Sequence, residues 1–508
     1  MTLWLINLHV MNAKLYFIIA FIAWFLLLFY YRKSIRKEGF NVIKLLLNKS
    51  YSSINITSAN MIFLAGIMLV LLFHAFQLPL SFDESYTFNN FTSKGIYHSL
   101  FKYPAPNNHV LHSLFTNISW FLLGFTHSEF AVRMPALFFS FLSVFVVFNF
   151  FLRNNVFACL FFTAVFLLSP NLIEFAFQAR GYSMQIFFSL VSYYLATRLE
   201  IRGLHFKTRF IFWLFLTIMG LFTSPAYFYT AFTIGLLFGY RFFTDFKNNI
   251  LFTLAMLLLF GLSLLLLYSP IILHQGLDKI ISNKFVVPVE QVNWSAIAKH
   301  FIDIINFISL PLGFGWGLLA IFIFFTVKEK DYYNFFLLVT PILLMLMLKQ
   351  LPFYRVFLPI GILIIVTVCY SAFQGKIIRN YFILKNIVSY VSILLALGFF
   401  SIYYFNKIHQ KDDLTSSFEY KKIIPHLNKY GLLADIDNCD WYMMELISAN
   451  HTLKNKPEFI RFQKGSSING KGSFVMLNKH RVPDYKTIDS LYSLNHQIRW
   501  IQISDHPQ

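Results

Sequence analysis

The sequence predicts a polytopic α-helical membrane protein of about twelve spans, followed by a small extracytoplasmic α/β domain. Three observations carry that expectation. First, 57% of the 508 residues are hydrophobic, 19% are aromatic and only 13% are charged, which is more apolar surface than one soluble core absorbs. Second, apolar runs of roughly 16 to 24 residues recur, and about 20 such residues let a helix cross the hydrocarbon with its backbone satisfied. Third, the Lys and Arg residues behind the net charge of +19 fall mostly in short links between these runs. Nucleic acid is not the partner such a distribution suggests, since no single basic face forms.

The first apolar run, 15–30, lacks a small-residue cleavage site before the basic stretch that follows it, so it reads as an uncleaved helix. The expected spans are 13–31, 60–80, 134–151, 156–173, 183–199, 210–225, 227–243, 250–273, 303–326, 333–348, 355–373 and 386–405. Basic residues alternate between links. Arg32, Lys33, Arg36, Lys37, Lys44 and Lys49 follow the first span, Arg153 the third, and Arg198, Arg202, Lys207 and Arg209 the fifth. Arg241 with Lys247, Lys328 with Lys330, and Lys376, Arg379 and Lys385 continue the pattern, so these links belong inside. Both termini and the 83–132, 274–300 and 349–354 segments then lie outside.

Two domains are expected: a transmembrane domain, 1–405, and the tail, 406–508. In the tail apolar runs shorten to strand length at 473–477 and 498–504, with helical patterns at 418–430 and 485–494. Cys159 and Cys369 sit in apolar runs and Cys439 stands alone, so neither a disulfide framework nor a Cys-based metal site is expected.

Chemistry gathers at the outer face. Asp83 and Glu84 emerge there at the end of the second span, a position that also suits a plain solvated helix end. A stretch at 113–125, apolar but interrupted by Asn117, Ser119 and Gly124, reads as a helix lying in the interface. Glu174 and Arg180 fall near the outer end of the hairpin between the fourth and fifth spans. Arg355 opens an outside-to-inside span. Cations on the side that disfavours them either snorkel to headgroups or serve a ligand. Carboxylates suit deprotonation of a hydroxyl, and arginine forks suit a phosphate or diphosphate.

The segments "FDESYTF", "PAPNNHVLH", "SEFAVRMPALFFSFLSV" and "SPNLIEFAFQARGYSMQ", in this order and spacing, resemble the polytopic GT-C glycosyltransferases of the protein O-mannosyltransferase and aminoarabinose-transferase superfamily. The likeness covers about residues 60–200 and, more weakly, "FYRVFLP". It implies a GT-C type bundle that passes a sugar from a polyprenyl-phosphate donor to an acceptor glycan, lipid or protein. The setting implied is the extracytoplasmic side of a bacterial cytoplasmic membrane, with the active site facing the periplasm or exterior. By the same resemblance Asp83 matches the catalytic acidic residue, with Glu84 beside it. His109 matches the histidine of a His-Pro-Pro loop, Arg133 the Arg-x-Pro arginine, Arg180 and Tyr182 an Ala-Arg-x-Tyr motif, and Arg355 a phosphate-side position. Two positions depart from the pattern. The loop here is Asn-His-Val-Leu, and Gln178 stands where many members carry Glu.

No cofactor is expected to be required, since no Gly-rich phosphate loop occurs. His109 and His112 could join Glu84 around a divalent metal, although histidines three apart more often pack or hydrogen-bond. A transporter or flippase for a lipid-linked or anionic solute is the rival class. It calls for ionisable residues near the middle of several spans rather than at one face. A receptor using the tail is a third.

Overall fold

The computed structural model describes residues 17–37, 58–78, 80–103, 108–124, 128–152, 155–197, 206–277, 280, 294–309, 313–373 and 387–411, and four strands in the tail. The chain is predominantly helical. Among the described residues six helices are long and apolar enough to cross a membrane: Phe17–Lys37, Asn60–Gln77, Glu129–Phe151, Phe206–Thr223, Ile250–Gln275 and Tyr354–Phe373. The pair Val156–Leu167 and Pro170–Phe177, bent by 86°, makes a seventh if it counts as one span.

That number is smaller than the twelve expected from apolar runs, and the differences have local causes. The expected 303–326 span is two helices, Trp294–Ser309 and Gly315–Lys328. Before the second of these Gly313 adopts a positive φ of 64°, a turn geometry that suits glycine. A 3-10 turn at Pro225–Tyr227 delays the next helix to Phe228, which leaves 14 residues. Another such turn at Tyr332–Phe335 shortens the expected 333–348 span to Phe336–Leu348. The fifth apolar run forms Tyr182–Thr197, 16 residues long.

Contacts divide the chain into two units. One comprises Met1–Leu71, Leu100–His112 and Ala136–Ser401, the other Leu72–Ser99, Ser113–Pro135 and Ile402–Gln508.

In the first unit Phe139, Met184, Phe188, Leu195, Leu216, Tyr227 and Ala231 form a buried core from four α-helices and the 3-10 turn that carries Tyr227. Gly220 lets the Tyr227 ring approach so closely that a Cβ there would lie 2.2 Å from it. Polar side chains tie helix ends together. Asn155 accepts from the backbone N–H groups of Phe157 and Ala158, capping its own helix, and donates to the Phe373 carbonyl at 2.8 Å. Ser169 and Asn171, at the bend, donate to the carbonyls of Ile308 and Phe307, each at 2.5 Å. These bonds satisfy last-turn carbonyls of the Trp294–Ser309 helix and fix it against the bend. Arg209 and Arg241, basic residues assigned to inner links, donate to Leu195 and Thr197 carbonyls at the end of the Tyr182–Thr197 helix.

In the second unit the helix Phe82–Thr87 runs into a π-helical turn, Phe88–Thr92. The helix Val110–Leu123, which belongs to this unit from Ser113 on, buries Ser113, Thr116 and Ser119 and turns Phe115, Ile118, Phe121 and Leu122 outward. Its polar side faces protein and its apolar side faces out, the polarity expected of a helix bordered by lipid. In the tail β1 (Leu433–Asp435), β2 (Ser473–Met476), β3 (Thr487–Tyr492) and β4 (Gln497–Gln502) form a sheet of order β1-β2-β4-β3. Strands at 473–477 and 498–504 were expected. The helix expected at 485–494 is instead β3, because an antiparallel pairing with β4 across a short connection satisfies its backbone. The helical pattern at 418–430 lies outside the described residues.

Candidate functional site

Asp83 and Glu84 occupy the first turn of the Phe82–Thr87 helix, where acidic groups suit the positive end of the helix dipole. Asp83 is half-buried and Glu84 is buried. Glu84 accepts from the Ser81 backbone N–H at 2.8 Å and takes both prongs of Arg133, Nε to Oε1 at 2.8 Å and Nη2 to Oε2 at 2.7 Å. The remaining nitrogen of Arg133, Nη1, donates to the carbonyls of Ala75 at 3.0 Å and Leu78 at 2.7 Å. Four of the five guanidinium donors are thereby used, and both side chains are 1% exposed. This pair locks the end of one helix to the start of the next.

A second cluster lies in the other unit. Arg180 follows the helix Pro170–Phe177, and its backbone N–H donates to the Gln178 carbonyl at 2.6 Å. Gly181 follows, and then Tyr182 opens a new helix. A Cβ at Gly181 would lie 2.3 Å from Thr223 and 2.7 Å from His109 Nδ1, so only glycine admits the imidazole here. His109 itself sits immediately before the Val110–Leu123 helix. Two helices therefore begin at residues that touch.

Arg180 Nη2 lies 3.1 Å from His109 Nε2. Because guanidinium only donates, Nε2 must accept, and the imidazole is neutral with its proton on Nδ1. Burial holds the His109 pKa well below the ordinary histidine range, with Arg180, His112 and Arg355 acting in the same direction. His112 is lowered to about 3, by burial and then by Arg180. Burial also pushes the Tyr103 hydroxyl far up, against an opposing effect of Arg180.

Tyr182 is the hub. The His109 ring meets it edge-on at 5.1 Å, and the guanidinium carbons of Arg180 and Arg355 lie 5.7 Å and 5.9 Å from its centroid. Arg355 enters from the 3-10 turn Tyr354–Phe357 and also lies 4.9 Å from the Phe353 ring. Residues 109, 180, 182 and 355, each picked out in the sequence, thus share one place. Two guanidiniums and two neutral imidazoles amid aromatic rings suit a multiply charged oxyanion. Asp83, Glu84 and Arg133 belong to the other unit. Among the described residues no group of three His, Cys, Asp or Glu side chains is arranged to hold a metal ion.

Sequence reasoning passed over Tyr103, which stands beside this cluster, and a second group on the Trp294–Ser309 helix. There Tyr354 donates to Asp303 Oδ2 at 3.3 Å, and its ring lies 4.8 Å from that of His300, tilted by 42°. Placing 303–326 in one apolar span hid the amphipathic character of "WSAIAKHFIDIINF", the signal that would have separated this helix. No family model matches the chain, and no curated protein matches it significantly.

Proposed function

We propose that this chain is an inverting membrane glycosyltransferase of GT-C type. It takes a sugar from a polyprenyl-phosphate donor and passes it to a hydroxyl- or phosphate-bearing acceptor, a glycan, lipid or protein, on the extracytoplasmic side of a bacterial inner membrane. The observation that supports this reading best is the meeting of Arg180, Arg355 and His109 around Tyr182. A buried Arg180 and a half-buried Arg355 in so apolar a chain are expensive unless they serve an anion, and a lipid phosphate is the anion a membrane supplies. An apolar cleft lined by Ile304, Ile308, Leu337, Met345, Phe357 and Ile365 begins two residues from Arg355 and suits a hydrocarbon chain.

In this reading the phosphate rests on Arg180 and Arg355 while the half-buried carboxylate of Asp83 takes the proton of the acceptor hydroxyl. The acceptor oxygen then forms its bond to the anomeric carbon as the carbon–oxygen bond to the phosphate breaks. The electron pair leaves with the lipid phosphate, whose negative charge the two guanidiniums stabilise. Glu84, expected beside Asp83 at the catalytic centre, and Arg133, expected among the substrate residues, act in this reading as the clamp that aims the Asp83 turn. The full complement of about twelve spans belongs to the same proposal, the shorter apolar helices completing the bundle.

Membranes carrying the wild type and Asp83→Asn, supplied with radiolabelled polyprenyl-phosphate sugars, test the reading. The variant is expected to lose transfer by at least about a hundredfold while still binding donor. Equal transfer by both removes Asp83 from catalysis. A wild type that consumes no donor across a broad panel defeats the enzyme reading.

A further inference from the structure

Asp303 and its neighbours form a second polar site in the same unit as Arg355. His300, Asp303 and Phe307 share one face of the Trp294–Ser309 helix, and the Tyr354 ring lies across it, 4.8 Å from His300 and 6.1 Å from Phe307. Phe307 in turn contacts Phe175 at 5.9 Å, and Phe175 contacts Tyr182 at 4.9 Å, so aromatic rings run from this face to the phosphate cluster.

The His300 imidazole donates to the Pro352 backbone while Nε2, buried, has no partner among the described residues. The proton is then on Nδ1, and Nε2 presents a bare lone pair. Burial lowers the pKa of this histidine, which keeps that lone pair available at neutral pH. Asp303 is half-buried and, among the described residues, accepts one long bond, from Tyr354. The face thus offers two acceptors in search of donors. An anion would be repelled by Asp303. A ligand rich in O–H donors fits, and the Tyr354 hydroxyl already occupies the carboxylate as such a donor would. Tyr354 is 37% exposed, free enough for its ring to swing and uncover His300.

We propose that His300, Asp303 and Tyr354 form a subsite for a sugar ring, whose hydroxyls donate to Asp303 and His300 and whose C–H face lies on Tyr354. Whether that ring comes from the donor or the acceptor has meaning only within the transferase reading; the subsite itself does not depend on it.

The full-length protein in lipid nanodiscs tests this in two arms. Saturation-transfer NMR reads the binding of methyl glycosides of glucose, galactose, mannose and arabinose. Thermophoresis compares short-chain polyprenyl phosphate with the same lipid carrying a hexosyl group. Glycoside binding in the first arm marks an acceptor site, and tighter binding of the glycosylated lipid in the second marks the donor sugar. In whichever arm responds, Asp303→Asn and His300→Phe are each expected to weaken binding about tenfold, and Tyr354→Phe, which frees Asp303, to preserve it. Affinity for the bare polyprenyl phosphate should stay unchanged, which also shows that the variants fold. The proposal is overturned if no glycoside or glycosylated lipid gains from its sugar, or if the variants bind it as well as the wild type. Should glycosides bind through Asp303 while polyprenyl phosphate does not bind at all, the subsite stands and the transferase reading falls.

Discussion

Arg133→Met removes the guanidinium that joins Glu84 to the carbonyls of Ala75 and Leu78. A buried carboxylate left without its cation costs about 3 to 5 kcal/mol, and each orphaned carbonyl adds about 1 kcal/mol or more. Glu84→Gln, which strands the cation instead, belongs in the same range. Unfolding entropy of about 2.1 cal/mol/K per residue puts the melting temperature of a 508-residue chain near 1 °C per kcal/mol, so each variant should melt roughly 3 to 7 °C lower. Scanning fluorimetry in nanodiscs reads this directly. The Glu84→Leu, Arg133→Met double variant should lose much less than the two single losses added together, because neither charge is then stranded. The swap Glu84→Arg, Arg133→Glu should not recover stability, since a carboxylate cannot donate to the Ala75 and Leu78 carbonyls. Single variants that melt within 1 °C of the wild type, or a swap that restores it fully, would refute the clamp.

Gly181→Ala should destabilise by about 1 to 3 kcal/mol and weaken phosphate binding, because its Cβ would collide with Thr223 Cγ2 and His109 Nδ1. Adding Thr223→Ser removes the first collision and should return part of the melting temperature. His109 and His112 refuse protons in the folded state, whereas the unfolded chain takes them up below pH of about 6.5. Stability is therefore complete above that pH and falls with acid, by about 1.4 kcal/mol per pH unit for each histidine, a window that for His112 extends down to about 3. Melting curves of a His109→Gln, His112→Gln variant between pH 5 and 7 should be flatter than those of the wild type; an unchanged slope counts against buried neutral imidazoles.

The cation cluster was legible because charge is rare in this sequence: Arg180 and Arg355 each stand out beside long apolar runs, and packing brings both to Tyr182. Arg133 stood out equally, yet nothing in its motif showed that Glu84 would take its fork. The pairing depends on helix ends brought together by tertiary packing. Apolar runs located helices well and their lengths poorly, since Gly313 lies in a turn inside a run that hydropathy alone joins, and 3-10 turns at Pro225–Tyr227 and Tyr332–Phe335 shorten the helices that follow them. Asp303 was missed for the same reason: averaged into an apolar stretch, one carboxylate carries no weight. In the tail the six residues Thr487–Tyr492 suit a helix or a strand, and only the partner β4 decides between them.

The contact between His109 and Arg180 also joins the first turns of two helices, Val110–Leu123 and Tyr182–Thr197. Each opening turn carries amide hydrogens with no carbonyl to receive them, about half a positive charge in all. That contribution is written into the backbone and survives any change of side chain. A protein stripped of both guanidiniums should therefore still prefer oxyanions to neutral solutes at this spot, with a residual affinity that added salt weakens.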